Sequence, residues 1–150
     1  MSKYVCFKEQ GVVVPQDYTT PSLSKMDPDD AGYDVFALED RWIFPFFIRK
    51  VPVNAIIEIP RGYYGRVVGR SGETMNGNVV IEGTIDAGYR GIFNALMVRF
   101  GLLPRRIRKG DKIAQIIITP FVNVSWLLGT EQNLTPSRRS KKGFGHSGYR

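Results

Sequence analysis

Three side chains with usable chemistry, Asp86, Tyr89 and Arg90, share the stretch Gly83-Thr84-Ile85-Asp86-Ala87-Gly88-Tyr89-Arg90-Gly91. A carboxylate can take a proton, an aromatic face can stack on a flat ligand, and a guanidinium can meet an anion. A hairpin tip that uses Asp only for its turn chemistry would look the same at this length. A second group lies upstream in Gly69-Arg70-Ser71-Gly72. Small residues, a hydroxyl and a guanidinium in one turn suit an anion, which takes bonds from turn N–H groups and a charge-assisted bond from arginine. Turns of this composition are common, so the tetrapeptide is weak evidence alone. Other reactive types are sparse. Cys6 is the single cysteine and His146 the single histidine. That argues against a zinc site and forbids an intrachain disulfide. A Ser-His-Asp triad would have to draw its histidine from the tail.

The elements that must carry these residues read as short strands. Val79-Val80-Ile81 precedes Gly83–Gly91, and Ile92-Phe93 and Ala95 to Val98 follow it, so the stretch reads as the turn of a β-hairpin. Tyr4 to Val14 suggests a strand pair at the start. Asp34 falls at the start of an alternating run that ends in Val35-Phe36-Ala37. Trp42 to Ile48 is apolar but contains Pro45, which suits an edge strand or a loop. Val51 to Ile59 reads as one strand stopped by Pro60-Arg61-Gly62, and Tyr63 to Val68 as another. Asp111 to Pro120 is an Ile-rich strand with Gln115 as its one interior amide, and Phe121 to Leu128 is a last apolar stretch. No amphipathic helix stands out, although a brief helical turn between strands is compatible with the pattern. Many short strands with frequent Gly and Pro indicate an all-β sandwich or barrel.

At 150 residues and 43% hydrophobic content, one domain with its own core is the natural expectation. Residues 1–128 read as that β domain. Residues 129–150 read as a polar, basic, glycine-rich arm with Phe144 as its strong apolar anchor. The net charge of +7 is uneven. Arg138, Arg139, Lys141, Lys142 and Arg150 lie in an acid-free C-terminal run, and Arg105, Arg106, Arg108, Lys109 and Lys112 are opposed locally by Asp111 alone. An anionic partner is expected, a nucleic acid or a nucleotide polyphosphate; a solvated basic surface is the alternative. No apolar run approaches the roughly 18 residues of a membrane span. Met1 to Lys8 lacks the apolar core of a secretory signal. With one cysteine, these features suggest a reducing, intracellular and cytoplasmic setting, compatible also with a nuclear or viral-host one.

Together the stretches resemble the trimeric deoxyuridine triphosphatase (dUTPase) family. Ala31-Gly32-Tyr33-Asp34-Val35 is similar to its first motif, Gly69-Arg70-Ser71-Gly72 to its second and Gly83–Gly91 to its third, the most specific. Lys109-Gly110-Asp111-Lys112-Ile113-Ala114-Gln115 resembles the fourth. Arg139 followed by Gly143-Phe144-Gly145-His146-Ser147-Gly148 resembles the fifth. Five matches in order, from Ala31 to Gly148, cover nearly the whole chain.

The resemblance implies a jelly-roll-like β subunit of a homotrimer, with a flexible C-terminal arm and active sites built between subunits. It implies hydrolysis of dUTP to dUMP and pyrophosphate. Asp86 would be the base acting on the water that attacks the α-phosphorus, and Tyr89 would pack under the deoxyribose and exclude a 2′-hydroxyl. The hairpin backbone from about Val80 to Asn94 would read uracil, with Thr84, Ile85 and Asn94 near base or sugar. Arg70, Ser71, Gly72 and Gln115 would contact phosphate, and Asp34 would hold Mg²⁺ through water. In the arm, Phe144 would stack on uracil and Arg139 would meet the γ-phosphate. Gly145, His146 and Ser147 would complete the arm's contacts. No stable nucleic-acid or membrane partner is implied.

Departures from the family pattern are visible. Glu73-Thr74-Met75-Asn76 follows the second motif where an apolar and then a small residue are usual. Val80 stands where the hairpin often has Asn, with Asn78 nearby. Lys141 and Lys142 replace smaller residues, and His146 replaces a hydroxyl. Rival readings are a dCTP deaminase, a non-catalytic dUTPase-like nucleotide-binding or regulatory module, and a nucleic-acid-binding β domain. The deaminase would need a glutamate after the hairpin, yet Ile92 to Phe100 contains no acid.

Overall fold

Period-two alternation of apolar and polar residues builds twelve short strands among the described residues, 9–143 of the computed structural model. They are β1 (Val12–Val14), β2 (Leu23–Ser24), β3 (Tyr33–Phe36), β4 (Arg41–Ile43), β5 (Arg49–Pro52) and β6 (Ile56–Glu58). There follow β7 (Tyr63–Val68), the single-turn helix α1 (Ser71–Met75), β8 (Asn78–Ile81), β9 (Gly83–Ile85), β10 (Asn94–Arg99), β11 (Arg105–Ile107) and β12 (Lys112–Pro120). A five-stranded sheet has the order β2-β3-β12-β7-β9, and a three-stranded sheet the order β5-β10-β8. The pairs β1-β6 and β4-β11 complete the set. Every ladder between these strands is antiparallel.

β12 is the spine of the larger sheet. It pairs with β7 from Gln115↔Val68 to Pro120↔Tyr63, and with β3 through Gln115↔Asp34. The inward faces of the sheets meet in one core around Val35, Val51, Val67, Met97, Ile107 and Ile116. On β10 the alternation is plain, with Asn94 exposed and Ala95 and Met97 buried. The chain is thus all-β, as its strand pattern indicates, and jelly-roll-like, as the resemblance implies.

Several elements differ from the sequence reading. Val51 to Ile59 is not one strand, because Val53 to Ala55 interrupts it between β5 and β6. Asn54 lies in the break with its side chain fully buried. Its Oδ1 accepts the backbone N–H groups of Gln16 (3.0 Å) and Asp17 (2.7 Å). Its Nδ2 donates to the carbonyls of Asp17 (2.8 Å) and Thr20 (3.1 Å) and to Thr20 Oγ1 (2.9 Å). One amide therefore pins the segment before β2, and the break lets β5 join β10 while β6 joins β1.

The central hairpin is also more than two strands. β8 pairs with β10, but β9 leaves that ladder and pairs with β7, with Val67↔Gly83 and Gly65↔Ile85 in register. The tip shrinks to Asp86–Gly91. Trp42 to Ile48 splits into β4 and a turn in which Phe46 adopts a left-handed φ of 64° and meets Phe100 edge-on at 6.1 Å. Of Tyr4 to Val14, residues 9–14 are described, and they hold one strand, β1. The brief helical turn exists as α1. Beyond Pro120 the described chain runs without a ladder partner, apart from a 3₁₀ turn at Glu131–Asn133. Val122, Trp126, Leu127 and Leu128 stand almost fully exposed there.

Candidate active site

β3, β12 and β7 lie side by side, so their register brings Asp34, Gln115 and the turn after Val68 together. These residues, with Arg70, Ser71 and Gly72, line one cleft. Asp34 Oδ1 accepts Arg70 Nε at 2.9 Å, and Oδ2 forms an ion pair with Lys112 Nζ at 3.0 Å. Gln115 Nε2 donates to the carbonyl of Gly69 at 3.0 Å, tying β12 to the turn. The Gln115 side chain crosses directly over Gly32, where an added Cβ would lie 2.3 Å from Oε1. A Cβ there would force the end of the Gln115 side chain to move. The cleft therefore sets the Arg70 guanidinium, the Lys25 ammonium, the Ser71 hydroxyl and the Gln115 amide among the carboxylates of Asp30, Asp34 and Glu73, and its cations and donors suit anionic oxygens.

The second cleft surrounds the tip between β9 and β10. Thr84, Ile85, Asp86, Tyr89 and Asn94 line it, together with Lys50 and Phe93. The tip is braced by its own atoms. Tyr89 N–H donates to the Asp86 carbonyl at 3.0 Å, and Tyr89 OH donates to the Ile92 carbonyl at 3.0 Å. The Tyr89 ring lies over Gly91, whose absent Cβ would come within 2.4 Å of the hydroxyl. Arg90 Nη1 donates to the carbonyls of Ala87 (2.6 Å) and Tyr89 (3.0 Å), and Arg90 pairs with Glu58 at 3.2 Å. Arg90 thus serves the tip as a brace, while the Asp86 side chain stays exposed. Arg66 sits beside the base of the tip. Its hydrogen bond to Glu82 (2.7 Å) and its charge hold that carboxyl below the usual carboxylate range.

Among the sequence-derived candidates, Val80 stands apart. Its side chain packs in the core at 7% exposure and its backbone faces Met97 in the ladder, so its side chain offers nothing to a ligand. Arg139 is exposed in the segment after the sheet, its Nε donating to the Lys142 carbonyl at 2.9 Å. Phe144, Gly145, His146 and Ser147 lie outside the described residues. Lys50 was missed by sequence reasoning. It faces the second cleft because β5 pairs with β10, Lys50 opposite Leu96, a neighbour relation no local pattern carries. Lys112 was in view as part of its motif, but its bond to Asp34 was not.

The tip and the phosphate turn are spaced along β7, although Val67 near the end of that strand also lines the tip cleft. Ile85, next to Asp86, pairs with Gly65, whereas Arg70 lies five residues further along. That is roughly 15 Å of extended chain.

A family model described as dUTPase matches residues 19–148. A deoxyuridine 5'-triphosphate nucleotidohydrolase of Solibacter usitatus is 37% identical over 131 residues, covering 85% of this chain and 87% of the relative. One from Yaba monkey tumor virus is 32% identical over 149 residues, covering 99% of both chains. Among solved structures, the Staphylococcus bacteriophage 80alpha dUTPase with dUpNHpp superimposes with a TM-score of 0.80 at 27% identity, over 93% of this chain and 98% of that one. A mutant dUTPase of phage phi11 of S. aureus, described with a structural Mg(II) ion, shares the fold with a TM-score of 0.73 at 24% identity, over 82% and 97%. A matched model spanning all but the first eighteen and last two residues, relatives of near-equal length and a shared β fold agree with the five motifs: the chain belongs to the dUTPase family.

Proposed function

We propose that this chain hydrolyses dUTP to dUMP and pyrophosphate, with Asp86 orienting and deprotonating the water that attacks the α-phosphorus. The observation that carries this reading is the exposed Asp86 carboxylate on a tip held rigid by other groups, in one cleft with Thr84, Tyr89 and Asn94. A base is useful only when its position is fixed and its lone pairs are free. Tyr89, pinned over Gly91, offers a flat apolar wall on which a deoxyribose can rest and a 2′-hydroxyl would collide. The outer edge of β9 carries backbone donors and acceptors that suit the imide edge of uracil and mismatch cytosine.

Arg70, Ser71, Gly72 and Gln115 suit the phosphates. Their distance from the Asp86 of the same chain supports a site assembled from two copies, Asp86 from one and the phosphate cleft from its neighbour. A closed homotrimer provides three such sites. The arm then supplies Arg139 to the γ-phosphate and Phe144 to the uracil face, with Gly145, His146 and Ser147 alongside, and shuts out water.

Mg²⁺ fits this cleft in one manner. No cluster of three or more acidic, histidine or cysteine ligands exists among the described residues. The Asp34 carboxylate accepts one hydrogen bond, from Arg70, and pairs by charge with Lys112, which leaves lone pairs for metal-bound water. Such a site receives a hydrated ion carried by the triphosphate. When bound, the ion neutralises phosphate charge.

Pyrophosphate release from dUTP, dCTP, dTTP and UTP, with Mg²⁺ and with chelator, tests the reading. Release from dUTP alone, lost with chelator, is expected; release from none of the four removes the proposal. Gly32→Ala should push Gln115 off the Gly69 carbonyl. The KM for dUTP should then rise about tenfold, equivalent to ~1.4 kcal/mol, while the melting temperature moves little. An unchanged KM would separate Gln115 from phosphate binding.

A further inference from the structure

The helix that begins within the phosphate turn, at Ser71, poses a packing problem. α1 has five residues, none of them buried, and no side-chain cap at its N-terminus. A helix of that length has no stability of its own in water. Its one half-sheltered side chain is Glu73, where the sequence pattern of the family is apolar. The Glu73 carboxylate accepts Arg105 through two bonds, Nη1 to Oε2 at 2.6 Å and Nη2 to Oε1 at 3.1 Å. Oε2 also accepts Asn78 Nδ2 at 3.0 Å. Asn78 is fully buried, and its Oδ1 accepts Arg99 Nη1 at 2.8 Å. Arg99 in turn donates to the carbonyls of Asn76 (3.0 Å) and Leu103 (2.7 Å). The chain of bonds runs from α1 through β8 to β10 and β11.

We propose that Glu73 is a positioning residue for the triphosphate: its bonds to Arg105 and Asn78 hold α1, and so hold Arg70, Ser71 and Gly72 in the conformation that meets phosphate. The inference rests on the reading of Arg70–Gly72 as the phosphate turn. Geometry favours it over a purely structural ion pair. The Glu73 side chain is 13% exposed, and a fork-to-fork pair fixes orientation as well as distance. Glu73 also lines the phosphate cleft itself, one residue from Gly72. An ion pair that served stability alone would have no reason to stand at that hinge. The network further explains how a charged residue is tolerated there, since both carboxylate oxygens are satisfied.

The test compares wild type with Glu73→Ala, the milder Glu73→Gln, Arg105→Ala, and the double variant Glu73→Ala/Arg105→Ala. Turnover of dUTP, affinity for dUMP and melting temperature are read for each. Glu73→Ala and Arg105→Ala should each raise the KM for dUTP about tenfold, with kcat falling less than about threefold. Affinity for dUMP, which lacks the outer phosphates, should stay within about twofold, and the double variant should be no worse than either single one. Glu73→Gln should fall between. Equal losses for dUTP and dUMP, a KM that does not move, or additive losses in the double variant would each overturn the proposal. Should Glu73→Ala not fold, Glu73→Gln and Arg105→Ala decide by the same ratios. Wild-type turnover of dUTP is the reference: without it the phosphate-turn reading falls first, whereas with it an unmoved KM removes the role of Glu73 alone.

Discussion

Asp86→Asn is expected to lower kcat for dUTP by about 10²–10⁴-fold, the usual contribution of a positioned base, while leaving nucleotide binding intact. The structure explains why the two effects should separate. The tip is braced by the Asp86 carbonyl, by Tyr89 OH on the Ile92 carbonyl and by Arg90 on the carbonyls of Ala87 and Tyr89. The Asp86 carboxylate takes part in none of these bonds. An amide of the same shape therefore preserves the turn and Tyr89, but it has no lone pair basic enough to take the proton from water. Single-turnover hydrolysis, paired with calorimetry of a non-hydrolysable dUTP analogue, reads both quantities. Turnover at the wild-type rate would take Asp86 out of the chemistry; lost binding would reassign it to the pocket wall.

Asn54→Ala should be the most damaging single change to the fold, at about 3 kcal/mol or more. The estimate follows from leaving several part-buried backbone groups unpaired, each costing up to ~1–3 kcal/mol. Asn54 serves two N–H groups and two carbonyls of the segment from Gln16 to Thr20, and it is fully buried. Asn54→Asp keeps the shape but turns a donor into an acceptor facing the carbonyls of Asp17 and Thr20, so it should be no gentler at neutral pH. Chemical denaturation measures the loss. A change below about 0.5 kcal/mol, the range of ordinary surface substitutions, would mean that water replaces the amide at no cost.

What could be read from the sequence follows from the range of the interactions involved. β7 coincides with Tyr63 to Val68, and β12 begins one residue inside its expected start, because alternation is a local signal. The phosphate turn and the tip were legible as motifs for a similar reason: each is contiguous. The break at Asn54 was not, since its partners lie 33 to 38 residues away. The departure of β9 toward β7 was hidden too, because one apolar strand looks like another until a neighbour is chosen. Glu73 stood out in the sequence only as a departure from the family pattern; its meaning depends on Arg105, 32 residues later.

Phe121 to Leu128 presents Val122, Trp126, Leu127 and Leu128 to solvent with no strand of the described chain beside them. A run of exposed apolar side chains of this kind marks a surface that another molecule covers. If the next copy of the proposed trimer covers it, burial of the run belongs to association as much as to folding. In that case stability obeys mass action: melting temperature should rise with the logarithm of protein concentration, and a melting temperature independent of dilution would remove the run from the subunit contact.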